Sequence, residues 1–471
     1  MAALNASAYV DGRLKAYAGF SDAIWEHPEL NFEEHKSAAA HSAMIASEGF
    51  RPLTSIAGLR TAVGGEFGSE GPVIAILGEY DALPGLSQVA HIAEPRPVNP
   101  GGHGHGCGHN LLGAASLLAA SAVKDWLVAT GRPGRVRYIG CPAEEGGSGK
   151  GFMVRAGVFD DVDIAICWHP GPLTGVTKPL SLACVESDFT FTGRASHASV
   201  SPHLGRSALD AVELMNVGVN YLREHMPPGS RVHYAITDSG GLAPNVVQAH
   251  AVVRHLVRAL TLNDMWQLYE RVNDIACGAA LMTGTAMSVR QRSGEANLVG
   301  NTVLEACMQT VLQEIGSPPF SAEDQVYAAA IQATLDPSDV ANACANFGYS
   351  WRSGQALCEG TYPLGGGSPS AVGSTDVGTV SWVVPTVQCR MATCAIGTPA
   401  HSWQMVAQGK SPAAHKGMAH AAKAMSAVAS RLLSNPDMIA AAKAELKRFR
   451  ELNPFRNPMG DDVAAPDEQH G

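Results

Sequence analysis

Two short stretches carry residue types suited to chemistry more than to packing. In "GHGCGHN", Cys107 and His109 stand two apart between glycines. A thiolate and an imidazole are good ligands for zinc and similar divalent ions. Glycine on either side lets the backbone approach an ion closely. A packed loop or a reactive thiol accounts for the same pair. In "CPAEEGGSGK", Glu144 and Glu145 are neighbours and therefore point different ways, so one can ligate a metal while the other moves protons. A solvated acidic turn is the plainer reading of that pair. The end of the string looks like a phosphate loop but fails, because the first glycine is missing and Lys150 is followed by Gly151. His169 in "CWHPG" and His401 in "GTPAHSWQ" each follow an apolar run and open a loop. Either one alone is more often a hydrogen-bonded core histidine than a ligand.

Together the pieces are harder to dismiss. Cys107, His109, Glu145, His169 and His401 suffice for two divalent ions sharing a bridging water, which such a pair activates near neutral pH. Glu144 suits the role of the carboxylate that takes and returns the proton. Asp81 in "GEYDALPG" is placed to orient an imidazole ligand through its other nitrogen, or is a plain turn residue. Farther on, His197 in "GRASHAS" could steady an oxyanion. Asn245 in "GGLAPNVV" and Arg258 in "RHLVRAL" could bind a substrate carboxylate, the arginine fork matching two oxygens. A surface salt bridge explains Arg258 equally well.

The elements that must position these residues follow from pattern. "GPVIAILGEYDALPG", "RVRYIGCPAEEGG" and "DVDIAICWHP" read as buried strands that end in Asp81, in Glu144 with Glu145, and in His169. "NLLGAASLLAASAVKDWLVATG" reads as a long apolar helix ended by Gly131. Strands alternating with helices indicate an α/β domain with a mixed, mostly parallel sheet flanked by helices, in which ligands gather at the carboxyl ends of strands. From about Ser187 the order becomes β-α-β-β-α-β, the split ferredoxin-like α+β arrangement. The expected division is residues 1–185 and 299–471 for the two parts of a catalytic domain and 186–298 for the insert. The tail from Pro454 is expected to be mobile.

Composition narrows the function class. The chain has 471 residues and a net charge of −10, with no Lys/Arg cluster, which argues against a nucleic-acid or anionic-membrane partner. The N-terminus has no continuous apolar h-region, and no apolar run reaches roughly 18 residues without glycine or charge. The ten cysteines are scattered, as expected of reduced thiols in a cytoplasmic protein.

The strings "GEYDALPGLSQ", "GHGCGHNLLG", "CPAEEGGSGK", "SPHLGRSALDAV", "GGLAPNVVQA", "STDVGTVSW" and "GTPAHSWQ" resemble the dimetal aminoacylase/carboxypeptidase family of amidohydrolases, from about Ala23 to about Ser430. The resemblance implies metal ligands at Cys107, His109, Glu145, His169 and His401, and Glu144 as general base. It implies that the insert serves dimerisation or as a lid, with His197 entering a partner's active site and Asn245 and Arg258 contacting substrate. The wider family often has His-x-Asp where Glu79-Tyr80-Asp81 stands; no histidine can ligate there, and Cys107 is expected to take over a ligand role. The implied reaction is hydrolysis of an N-acyl amino acid, p-aminobenzoyl-glutamate foremost, with a homodimer or a heterodimer with a related subunit. Thiolate softness favours zinc and the resemblance favours manganese. The rival readings are a different acyl group, a dipeptide or arylamine substrate, thiol catalysis by Cys107, and a metal-bound, non-catalytic subunit.

Overall fold

The structure, a computed structural model, describes residues 5–367 and 373–464. Six strands come first: β1 (Arg51–Pro52), β2 (Val63–Phe67), β3 (Val73–Glu79), β4 (Arg135–Cys141), β5 (Ile164–Gly171) and β6 (Gly175–Val176). Four more follow: β7 (Ala183–Thr192), β8 (Arg231–Asp238), β9 (His250–Ala259) and β10 (Ala286–Glu295), and β11 (Thr386–Ala392) comes last. They form a seven-stranded sheet in the order β1-β2-β4-β3-β5-β11-β6 and a four-stranded sheet in the order β10-β7-β9-β8.

In the larger sheet the four central strands β4, β3, β5 and β11 run parallel, and the flanking pairings are antiparallel. Every residue of β3, "VIAILGE", is buried, as a strand covered on both faces requires. One cover is the helix His109–Thr130, which ends at Gly131 in the left-handed conformation. This helix is long and apolar enough to cross a membrane, but most of it lies inside the protein. It packs with Leu117, Leu118 and Trp126 into the same core as Met418, Met425 and Val428 of the helix Pro412–Ser434. Each such side chain contributes about 1.5–3 kcal/mol by leaving water. Parallel central strands put their carboxyl ends at one edge, so the loops after β3, β4, β5 and β11 converge there.

The four-stranded sheet is antiparallel, and the helices Ala208–Leu222 and Leu262–Thr283 lie between its strands in the β-α-β-β-α-β order. Strand β7 alternates buried and half-buried residues, the mark of a sheet covered on one face. It begins at Ala183, three residues before the start expected for the insert. The stretch from Pro454 to Ala464, expected to be mobile, packs instead: Met459 and Val463 are buried in one cluster with Phe152 and Met153. The remainder of the tail lies outside the described residues. All ten cysteines are free thiols, and only Cys277 is exposed.

Candidate metal centre

The glycines around Cys107 are there for close approach. A side chain at Gly106 would meet Leu86 Cδ1 at 2.5 Å and the His401 Cα at 3.2 Å. Gly108 has φ +76° and leads directly into the helix His109–Thr130. Through the gap at Gly106 the His401 backbone N–H donates to the Gly106 carbonyl at 2.8 Å. That bond fastens a loop from the last fifth of the chain to one from the first quarter. His401 and Ala143, the latter just before the acidic pair, both hold φ near +57°, a strained conformation for residues with a Cβ.

The structure brings together all five donors named from sequence. Cys107, His109 and His169 present donor atoms within 4.8 Å of one another, and so do Cys107, Glu145 and His401. The Cys107 sulfur thus sits where the two groups meet. The buried His109 imidazole and the half-buried one of His169 are each oriented from behind. His109 Nδ1 lies 2.8 Å from Asp81 Oδ1, and His169 Nδ1 donates to the Pro170 carbonyl at 2.7 Å. Their Nε2 atoms therefore face the centre. Asp81 Oδ2 also accepts the Glu145 backbone N–H at 2.8 Å, so one carboxylate positions two donor residues.

Carboxylates crowd the centre. His109 Nε2 is 3.3 Å from Glu79 Oε2 and 4.0 Å from both Glu144 Oε2 and Glu145 Oε1. Yet among the described residues neither His109 Nε2 nor Glu145 Oε1, both buried atoms, has a hydrogen-bond partner. Burial opposes charge on Cys107, but the imidazoles of His169 and His109 outweigh it and hold the thiol well below its ordinary range. Burial likewise opposes charge on His109, and Asp81 and Cys107 raise its proton affinity far above normal. His401 is raised to about 10, first by Cys107 and then by Glu145. Burial, then Glu79 and Asp376, push Glu144 well above the usual carboxylate range. A thiol held toward its thiolate form, beside imidazoles and carboxylates, is a donor set for divalent cations, which displace any protons these groups carry on binding. The residues present fit metal ions.

The centre opens into a cavity of about 480 Å³, whose other walls include Arg258, Ser374, Thr375 and Arg390. Larger depressions, of about 720 and 850 Å³, lie on the helices of the smaller sheet and beside the C-terminal helix, away from any donor cluster. Arg258 is not a surface salt bridge: among the described residues no carboxylate lies within ion-pair distance. Its buried Nε has no partner, and Nη1 donates to Ser374 Oγ at 3.3 Å. His197 and Asn245 are not brought to this cavity. Both are exposed on the smaller sheet's loops, where the Ala198 N–H bonds the Asn245 carbonyl. They face solvent, not the chain's own donors.

Four residues at the site escaped the sequence reading. Glu79 and Lys150 form a buried ion pair beside His109, with Asp376 on the same ammonium. Arg390 pairs in register with His169 across β11 and β5 and lies over the Phe347 ring. A lone charge in an otherwise uncharged strand was the available signal for Arg390.

A model of peptidase family M20/M25/M40 matches residues 75–453. The chain is 44% identical over 469 residues to one of the two kinds of chain, the one designated B, of p-aminobenzoyl-glutamate hydrolase from Escherichia coli (strain K12), covering 97% of this chain and 98% of that one. Its fold is similar to that of a protein from methicillin resistant Staphylococcus aureus described as an aminohydrolase, with a TM-score of 0.66 at 18% identity, covering 91% of this chain and 98% of that one. It is also similar to a dinuclear metal binding peptidase of the M20 family from Bacillus subtilis, with a TM-score of 0.55 at 17% identity, covering 90% and 99%.

Proposed function

The chain belongs to peptidase family M20/M25/M40, and on that premise we propose that it is a metal-dependent hydrolase of N-acyl amino acids, cleaving p-aminobenzoyl-glutamate to p-aminobenzoate and glutamate. The observation that carries this reading is the convergence of Cys107, His109, Glu145, His169 and His401 on one centre at the floor of a cavity walled by Arg258, which has no carboxylate in ion-pair distance among the described residues. Cys107, His109 and His169 would hold one ion and Cys107, Glu145 and His401 the other. The pair would supply Lewis-acid polarisation of the amide carbonyl and a water of lowered pKa. The thiolate ligand favours zinc over manganese.

The chain's own residues do the rest. Glu144 takes a proton from the attacking water as its oxygen bonds the amide carbon. It then gives that proton to the amide nitrogen as the C–N bond breaks, so acid and amine leave with protons balanced. Arg258 binds the carboxylate of the amino-acid half. His197 and Asn245, exposed and remote from this cavity, serve the site of a second chain. That chain is another copy or a related subunit, docked through the insert at 186–298, which acts as dimerisation or lid domain. Free thiols, nearly all buried, suit a reducing cytoplasm.

The test is hydrolysis of a panel of acyl-glutamates and acyl-aspartates by metal-reconstituted protein. Glu144→Gln is expected to keep its metal and lose roughly 10²–10⁴-fold in turnover. A fully active variant would sink the role given to Glu144. Metal-loaded protein that cleaves nothing until a second, different chain is added would mark it as a subunit that cannot act alone.

A further inference from the structure

Resting on the metal-centre reading above, we propose that Glu79, held by the buried ammonium of Lys150, is a further ligand of the ion at His109. Lys150 has no exposed surface. Its Nζ lies 2.6 Å from Glu79 Oε1 and 2.5 Å from Asp376 Oδ1. Asp376 is occupied twice by the same residue, since its Oδ2 also accepts the Lys150 backbone N–H at 2.9 Å. Asp376 therefore already balances the lysine. Glu79 brings a second negative charge to one ammonium in a place sealed from water. A buried charge without compensation is strongly destabilising.

The compensation that geometry offers is at the free oxygen. Glu79 Oε2 lies 3.3 Å from His109 Nε2, and that nitrogen is fully buried and has no hydrogen-bond partner among the described residues. Donor atoms of Glu79, His109 and Glu144 lie within 4.8 Å of one another. His109 also belongs to the donor group with Cys107 and His169, so the two groups meet at this imidazole. Lys150 fixes the division of labour: one Glu79 oxygen stays on the ammonium and the other remains for the ion. The lysine orients the carboxylate as an outer partner orients a ligating histidine.

Metal affinity tests this without recourse to turnover. Metal-free protein is titrated with Zn²⁺ against a competing chelator, and with Co²⁺ while the cobalt–thiolate absorption is followed. Wild type is expected to take up two equivalents. Glu79→Gln keeps the shape and the Lys150–Asp376 pair; it is expected to weaken one of the two sites by roughly 10–100-fold. The thiolate band should persist, showing that Cys107 still ligates. Both ions bound by the variant with wild-type affinity would overturn the assignment, because a merely structural Glu79 would not change the affinity of one site. If Glu79→Gln does not fold, Glu79→Asp decides by the same measure, its shortened reach lowering the affinity of that site and unchanged affinity refuting the proposal. Wild type that binds no metal at all would instead remove the function proposed above, and this ligand with it.

Discussion

At the scale of single residues, the division between donors and anchors makes a separable expectation. Arg258 touches none of the donors and keeps a buried, unpartnered Nε beside the cavity. Arg258→Gln is therefore expected to raise KM for an acyl-glutamate roughly 10- to 100-fold, the loss of about 1.5–3 kcal/mol in a charge-assisted hydrogen bond, with metal content unchanged. Steady-state kinetics beside elemental analysis checks both halves; a fall in bound metal would place Arg258 in the wrong group. Glu145, His169 and His401 were legible because each follows an apolar run, where a polar side chain has no packing reason to be, and Cys107 and His109 because glycines flank them. Glu79, Lys150 and Asp376 were not. Their pairings join residues 71 and 226 positions apart, and nothing local distinguishes a buried ion pair from a charge at a strand end or a helix start. His197 and Asn245 were legible as residue types, but a single chain gives them no site.

At the scale of elements, the helix His35–Ser47 reaches the acidic loop through the residue before it. Glu34, fully buried, accepts the Ala143 backbone N–H at 2.8 Å and so supports the strained turn that precedes Glu144. Burial, then Asp81, raises its pKa to about 8. A carboxyl held above its unfolded value stabilises the fold most when protonated, below the ordinary carboxylate range, and that contribution is lost as pH rises through about 8. Glu34→Gln keeps the acceptor and cannot ionise. The wild-type Tm is therefore expected to fall more steeply than that of the variant between about pH 4.5 and 8, by thermal unfolding at a series of pH values; parallel curves would contradict it. Most helices and strands were legible from period and from their glycine and proline stops. The order of the larger sheet was not, because β11 inserts between β5 and β6 from more than 200 residues downstream, and pairing over that distance leaves no mark in local periodicity. The stretch Pro454–Ala464 misled for a related reason: a polar, proline-containing tail gives no sign that Met459 and Val463 fill an existing apolar cluster.

At the scale of the whole molecule, His197 lies in one sheet's loops and Glu144 in the other's, and the reading that they meet across two chains has its own test. Chains carrying Glu144→Gln and chains carrying His197→Ala, each nearly inactive alone, are expected to regain about a quarter of wild-type activity when co-assembled at random into symmetric dimers. Mixed dimers then contain one intact site. Purification through two different tags isolates them, and no recovery would place His197 outside the reaction. The bond between the His401 amide and Gly106 has a further consequence, for synthesis. Until the ribosome has released β11 and the loop behind it, the thiol and imidazole at the head of the long helix lack both the strand that flanks His169 and the imidazole that completes the second donor group. Because such distant contacts form late, the nascent chain displays only a partial chelate. The complete centre should therefore acquire its ions only once the His401 loop has been released and has docked on Gly106.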